Sequence, residues 1–157
     1  MKIFLLTVGK TSQKNIKEEI LLYTKRLSHY TDFELQEISS LKSSTKISQS
    51  ELKKSEGQMI MKYLKSSDYV VLLDENGKSY SSIDFSKKIE KFRLNSFKRV
   101  VFVVGGAFGF SDELFSCCNE KVSLSNMTFS HQMVRLFFVE QLYRAFTIIN
   151  NEKYHHQ

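Results

Sequence analysis

The sequence is poor in cysteine and has no proline. Its two cysteines, Cys117 and Cys118, are neighbours in the chain, so a disulfide between them would be strained. No second pair is present that could complete a zinc site. We therefore expect reduced, buried thiols and no metal.

Long apolar runs are also missing. The first one, IFLLTV at residues 3–8, is too short for the hydrophobic region of a signal peptide. No stretch approaches the roughly 20 apolar residues of a membrane span. These absences predict a cytoplasmic protein with no membrane partner.

Acidic residues are fewer than basic ones, with 17 Asp and Glu against 23 Lys and Arg. The formal charge of +6 and the pI near 9.2 favour a polyanionic partner such as RNA, although many proteins without one share this excess. A length of 157 residues favours one domain, residues 1–157, with a core large enough to fold alone.

Apolar periodicity predicts strands that alternate with helices. A polar Ser/Lys loop is expected over 40–50, and an Asn76-Gly77 turn after the third strand. The result is an α/β domain with a mostly parallel sheet flanked by helices. The predicted strands are 2–9, 33–39, 69–73, 99–104 and 121–124, and the predicted helices are 12–29, 49–66, 81–93, a short one from Ser111, and 130–149.

Three loops follow buried strands, at 73–80, 104–111 and 124–130, and ligands of parallel sheets bind at such strand ends. The loop Gly105-Gly106-Ala107-Phe108-Gly109 permits close backbone approach. It matches neither the dinucleotide nor the P-loop signature, which disfavours a phosphate cradle. A tight turn without a ligand is the alternative.

The last helix is apolar around nearly its whole circumference. Such a helix lies either at the centre of a core or between the core and a partner chain, and in so small a domain we favour a dimer interface. Glu140 and Arg144 lie four residues apart on it, which is also the spacing of an ordinary solvated helix pair.

Four ordered motifs carry a family resemblance. VVLLDENGKSYSS, VFVVGGAFG, LSNMTFSHQMVR with EQLYRAF, and the terminal YHH resemble the RlmH family, the smallest members of the SPOUT superfamily of S-adenosylmethionine-dependent RNA methyltransferases. The resemblance runs from KIFLLTVGK at the start to the last residues.

This resemblance implies a deep C-terminal trefoil knot, a homodimer, and S-adenosylmethionine as cofactor. It also implies methylation of N3 of pseudouridine 1915, in the helix 69 loop of 23S rRNA, on the assembled 70S ribosome. A SPOUT methyltransferase with another RNA target and a non-enzymatic ribosome-binding protein are the alternatives.

Carried over by motif, the resemblance implies a cofactor pocket bounded by three strand-end loops. Its residues are Leu73, Gly105, Leu124, Ser125, Asn126, Met127, Thr128 and Phe129. The four apolar side chains among them could instead belong to the core. The family usually has proline where this chain has Ser130, which can cap the last helix without fixing φ as proline does.

Candidates for stabilising or deprotonating the target base are Tyr154, His155, Arg135 and Arg144. His155 is proposed for RNA positioning or acid–base chemistry, with a frayed terminus as the alternative. His131 could contact RNA or help to cap the last helix. The candidate phosphate contacts are Lys10, Lys14, Lys17, Lys42 and Lys46, and ordinary solvated surface is the alternative for each of them.

Overall fold

Five strands and five helices follow one another along the chain in a computed structural model that describes residues 1–40 and 47–155. Lys42, Lys46, His156 and Gln157 lie outside the described residues. The elements are β1 (Lys2–Val8), α1 (Lys14–Leu27), β2 (Asp32–Ile38), α2 (Gln49–Met61), β3 (Tyr69–Ser79), α3 (Ser82–Leu94), β4 (Arg99–Val104), α4 (Asp112–Cys117), β5 (Glu120–Ser123) and α5 (His131–Ile149).

The strands form one sheet in the order β2-β1-β4-β3-β5, and all four neighbouring pairs are parallel. The α/β fold with a parallel sheet is therefore confirmed. The trefoil knot stays a prediction.

Both faces of the sheet are covered, which explains why its central strands are apolar without alternation. Ile3 and Leu5 of β1 face the larger core, which α5 fills with Phe138, Leu142 and Phe146. Phe4 and Leu6 face the smaller core beneath α2 and α4. Apolar residues along one strand thus serve two cores.

Helix α5 packs against both α1 and α3. Phe138, Val139, Leu142 and Phe146 are fully buried within the chain. A central position in the core therefore accounts for much of the apolar circumference, and the dimer interface stays a prediction.

The structure corrects three local predictions. β3 continues to Ser79 instead of turning at Asn76-Gly77, and its pairing with β5 shifts register between Leu73 and Lys78. Glycine is required at this bulge because a Cβ on Gly77 would lie 2.6 Å from the backbone nitrogen of Val122. Helix α2 ends at Met61, earlier than predicted.

The cysteines are the third correction. Both are free, but Cys117 is exposed and Cys118 is half-buried, so the prediction of buried thiols is wrong. Cys117 lies near the end of the short helix α4, and its Sγ is 3.5 Å from the Sδ of Met61.

Candidate active site

A cavity of about 650 Å³ lies where β3, β4 and β5 end. Its volume is in the range typical of sites for small molecules and cofactors. It is formed by the three strand-end loops that the sequence singled out, together with the start of α5. The predicted residues that line it are Leu73, Gly105, Leu124, Ser125, Met127, Thr128 and Phe129.

The glycine loop forms one wall of this cavity. Gly109 has φ +77°, which favours glycine, and its N–H donates to the carbonyl of Gly106 across 3.2 Å. A Cβ on Gly105 would lie 3.1 Å from the Phe110 ring, and one on Gly106 would collide with the carboxyl group of Glu56. The loop is thus a tight turn that also brings bare backbone to the cavity.

Polar side chains hold the opposite loop, residues 123–130, in shape. Ser123 Oγ donates to the carbonyl of Ser125 at 2.8 Å, and Ser125 Oγ accepts from the N–H of Met127 at 2.9 Å. Thr128 Oγ1 donates to Glu75 at 3.1 Å. These bonds fix the loop backbone beside the cavity.

Asn126 is the one predicted pocket residue that does not line the cavity. Its Oδ1 faces Ser79 Oγ at 3.5 Å. Among the four apolar residues, Leu73 is buried and belongs to the core as well as to the cavity wall. Met127 is 73% exposed, so it is no core residue.

Helix α5 begins at the edge of the cavity. Ser130, with φ −61°, caps the helix by accepting from the N–H of Met133 at 3.4 Å. His131 lines the cavity, and its pKa is lowered by partial desolvation of the ring and by the positive charge of Arg135. A neutral imidazole is therefore favoured there.

Arg135 does not line the cavity but is fully buried behind it. Its guanidinium donates to the carbonyl of Val8 at 2.7 Å and to Thr11 Oγ1 at 2.9 Å, and it pairs with Glu37 at 3.4 Å. Gln132, one turn earlier, also bonds the loop after β1. Arg135 thus ties α5 to that loop.

Arg144, Tyr154 and His155 meet at the other end of α5, in what we call the tail cluster together with Tyr23 and Glu140. Glu140 accepts from Arg144 at 2.5 Å and from the Tyr154 hydroxyl at 3.1 Å. Tyr154 also lies 3.2 Å from the Tyr23 hydroxyl, and His155 Nδ1 lies 3.4 Å from Arg144.

The phenol of Tyr154 in the tail cluster stays protonated. Burial raises the pKa of Tyr154, as do its hydrogen bond to Tyr23 and the negative charge of Glu140. None of the cluster residues lines the cavity. Arg144 follows the cavity residue Val134 by ten positions, which is about 15 Å along a helix.

Sequence reasoning missed Lys53 and Glu56 of α2. Lys53 lines the cavity, and Glu56 is buried directly behind the glycine loop. A signal was present, because Glu56 falls between Leu52 and Ile60 at helical spacing, on the buried face of the helix. Lys10, Lys14 and Lys17 are exposed.

Neither a membrane-spanning helix nor a cluster of metal-binding side chains is found in the described part of the chain. No helix within 1–40 and 47–155 has the length and hydropathy of a membrane span. In the same residues, no three His, Cys, Asp or Glu side chains come together as a metal site would require.

Comparison with known proteins places the chain in a family. Residues 1–155 match the sequence model described as "Predicted SPOUT methyltransferase". Proteins named ribosomal RNA large subunit methyltransferase H are 50% identical in Christiangramia forsetii and Flavobacterium psychrophilum and 48% identical in Porphyromonas gingivalis, each over 100% of both chains.

A solved structure, that of a probable methylase family protein from Haemophilus influenzae, shares the fold with a TM-score of 0.55. It is 14% identical and covers 99% of this chain and 70% of its own. Because the sequence matches span the full length of the relatives, the chain belongs to the SPOUT methyltransferase family and, within it, to the RlmH family.

Proposed function

We propose that this protein methylates the RNA of the large ribosomal subunit, using S-adenosylmethionine. The specific target we propose is N3 of pseudouridine 1915 in helix 69 of 23S rRNA, in the assembled 70S ribosome. The cavity at the ends of β3, β4 and β5 is the observation that carries this proposal, because it brings together residues of three of the family's motifs, VVLLDENGKSYSS, VFVVGGAFG and LSNMTFSHQMVR. A cytoplasmic location follows from a ribosomal substrate.

The cavity suits a nucleoside cofactor. Leu73, Leu124 and Phe129 supply apolar surface for a base, while the glycine loop and the 123–130 loop supply backbone N–H and C=O groups. A Cβ on Gly105 would lie too close to Phe110, and one on Gly106 would lie too close to Glu56. The loop therefore presents main-chain groups, which suits a ligand bound through backbone N–H and C=O groups. Side chains of many kinds could build such a site if the loop shape is kept.

S-adenosylmethionine supplies an electrophilic methyl group on a positively charged sulfur. The chain's task is to hold the accepting nitrogen in line with that methyl and to exclude water. The imide nitrogen of pseudouridine is mostly protonated at neutral pH, so a base or a nearby cation must favour its anion. A target in an RNA loop can be turned outward at modest cost.

The tail cluster carries the groups for this step. Arg144 is a fixed cation because Glu140 holds it, and His155 lies beside it within 3.4 Å. We assign His155 to acid–base chemistry or RNA positioning, Tyr154 to hydrogen bonding, and Arg144 to stabilising the anion. Arg135 contributes by positioning the start of α5.

A homodimer completes the site in this proposal. The tail cluster and the cavity lie at opposite ends of α5 in one chain, so a second copy must bring its tail to the cavity. Leu21 and Leu22 of α1, the helix that packs against α5, are exposed and offer apolar surface for such contact.

The test is transfer of labelled methyl from S-adenosylmethionine to unmodified 70S ribosomes, to 50S subunits and to naked 23S rRNA, with the product nucleotide mapped. We expect labelling of N3 on the helix 69 pseudouridine, mainly in 70S. Labelling elsewhere would favour another RNA target. No labelling by a folded dimer that still binds ribosomes would favour a binding protein.

A further inference from the structure

Glu56 of α2 is a buried residue with an ionisable side chain. It is 5% exposed, and its Oε2 has no hydrogen-bond partner among the described residues. No described Lys, Arg or His forms an ion pair with it, although Lys53 lies one turn earlier on α2. Ionising a buried carboxyl group that has no partner costs free energy, and a nearby positive charge would offset that cost.

The Glu56 carboxyl lies directly behind the cavity wall. A Cβ on Gly106 would collide with both its carboxyl oxygens and its Cδ, so carboxyl and glycine backbone are in close contact. Gly106 itself lines the cavity. Gly106 thus contacts the Glu56 carboxyl group and also borders the cavity. At 5% exposure, this carboxyl group has little contact with water.

Other carboxylates near the cavity are placed differently. Glu75 is exposed and accepts from Thr128, and Asp74 is half-buried and accepts from the backbone of Asn76. Water and hydrogen bonds screen these two charges. Burial, in contrast, raises the pKa of Glu56, because its ionised form is poorly solvated at this position.

We propose that the carboxylate of Glu56 interacts electrostatically with the bound cofactor across the glycine loop. This interaction favours the sulfonium of S-adenosylmethionine over the neutral thioether of S-adenosylhomocysteine. This inference rests on the proposed function. The donor and the product share their adenosine and amino-acid parts and differ in the methyl group and the charge on sulfur. A negative charge beside the wall therefore retains the donor and eases release of the product.

The test compares dissociation constants of S-adenosylmethionine and S-adenosylhomocysteine, by calorimetry, for the wild type and Glu56→Gln. We expect Glu56→Gln to weaken S-adenosylmethionine on the order of tenfold and to change S-adenosylhomocysteine by less than about twofold. Sinefungin, which carries a protonated amine in place of the sulfonium, should follow S-adenosylmethionine. Glu90→Gln, on the exposed face of α3, is the matched control and should leave the ratio of the two constants unchanged.

A second variant, Glu56→Asp, keeps the charge and should keep the preference for the cationic ligands even if both affinities fall. Equal weakening of all three ligands by Glu56→Gln, or no weakening, would overturn the inference and leave the proposed function standing. A wild type that binds none of them would overturn both.

Discussion

Arg135 and Arg144 of α5 differ in burial, and this difference suggests a structural role for Arg135 and a chemical role for Arg144. Arg135 is fully buried and pairs with Glu37, whereas Arg144 lies partly exposed in the tail cluster. Removing a fully buried charged group together with its hydrogen bonds costs more stability than removing one that keeps some contact with solvent.

We predict that Arg135→Met lowers the free energy of unfolding by roughly 3 kcal/mol, since it removes the buried hydrogen bonds of the guanidinium to the Val8 carbonyl and to Thr11. Arg144→Met should cost less stability than Arg135→Met, because Arg144 keeps some contact with solvent, and yet abolish most methyl transfer. Urea unfolding and the transfer rate measure the two effects. A stable, inactive Arg135→Met protein would instead give Arg135 a direct part in the chemistry.

Ser130 is the position where this chain departs from the family's usual proline. Its φ of −61° already suits proline, so Ser130→Pro should fit without strain and make the last turn of the cavity more rigid. We expect S-adenosylmethionine to bind a few-fold more tightly. Ser130→Ala, which removes the cap but not the backbone freedom, is the control. Unchanged affinity in Ser130→Pro would show that the turn is rigid already.

Residue identities in the cavity could be predicted from motifs, but side-chain partners could not. Seven of the eight expected pocket residues line the cavity, because backbone motifs determine where loops lie. Asn126 turns toward Ser79, and Glu56 lies behind Gly106, because both depend on contacts between distant segments. Periodicity carries no information about such contacts.

At the scale of elements, an ion pair between Asp68 and Arg99 links the starts of β3 and β4. Arg99 binds Asp68 through two hydrogen bonds, of 2.8 and 2.5 Å, and the N–H of Lys65 also donates to Asp68 at 2.7 Å. Burial opposes ionisation of Asp68, but these bonds and the charge of Arg99 outweigh it and lower its pKa.

The lowered pKa predicts an acid limit to stability. A carboxyl with a depressed pKa in the folded state stabilises above its unfolded pKa, near 4, and loses that contribution as pH falls through the folded value. We expect the unfolding free energy of the wild type to fall below about pH 4, and that of Asp68→Asn to be lower at pH 7 and flatter in acid. Urea unfolding between pH 7 and 3 checks this. Asp32→Asn, on the exposed start of β2, should parallel the wild type, and a parallel curve for Asp68→Asn would contradict the prediction.

Element types were predictable because burial on both faces and amphipathic helices leave clear periodicities. The Asn76-Gly77 turn failed as a prediction because the same dipeptide also suits a bulge, where Gly77 makes room for the β5 backbone. Local sequence gives the backbone freedom of a glycine, and the neighbouring strand decides how it is used.

At the scale of the whole molecule, the separation of cavity and tail cluster makes a prediction about subunits. Gly105→Val should distort the glycine loop that walls the cavity of one chain, because even a Cβ there would lie 3.1 Å from Phe110. The double variant Arg144→Met with His155→Ala should disable the tail of the other. Each homodimer should be inactive. If the tail of one chain serves the cavity of its partner, the mixed dimer has one complete site.

Co-expression with two different tags and purification on both isolates that mixed dimer. We expect about half of the wild-type transfer rate, since one of two sites is intact. An inactive mixed dimer would show that each tail serves its own cavity, which α5 would then have to permit by a rearrangement of residues 150–155. Failure to recover any protein carrying both tags would refute the dimer itself, and the cavity would have to find its acid–base groups among His131, Lys53 and Asp74 of the same chain.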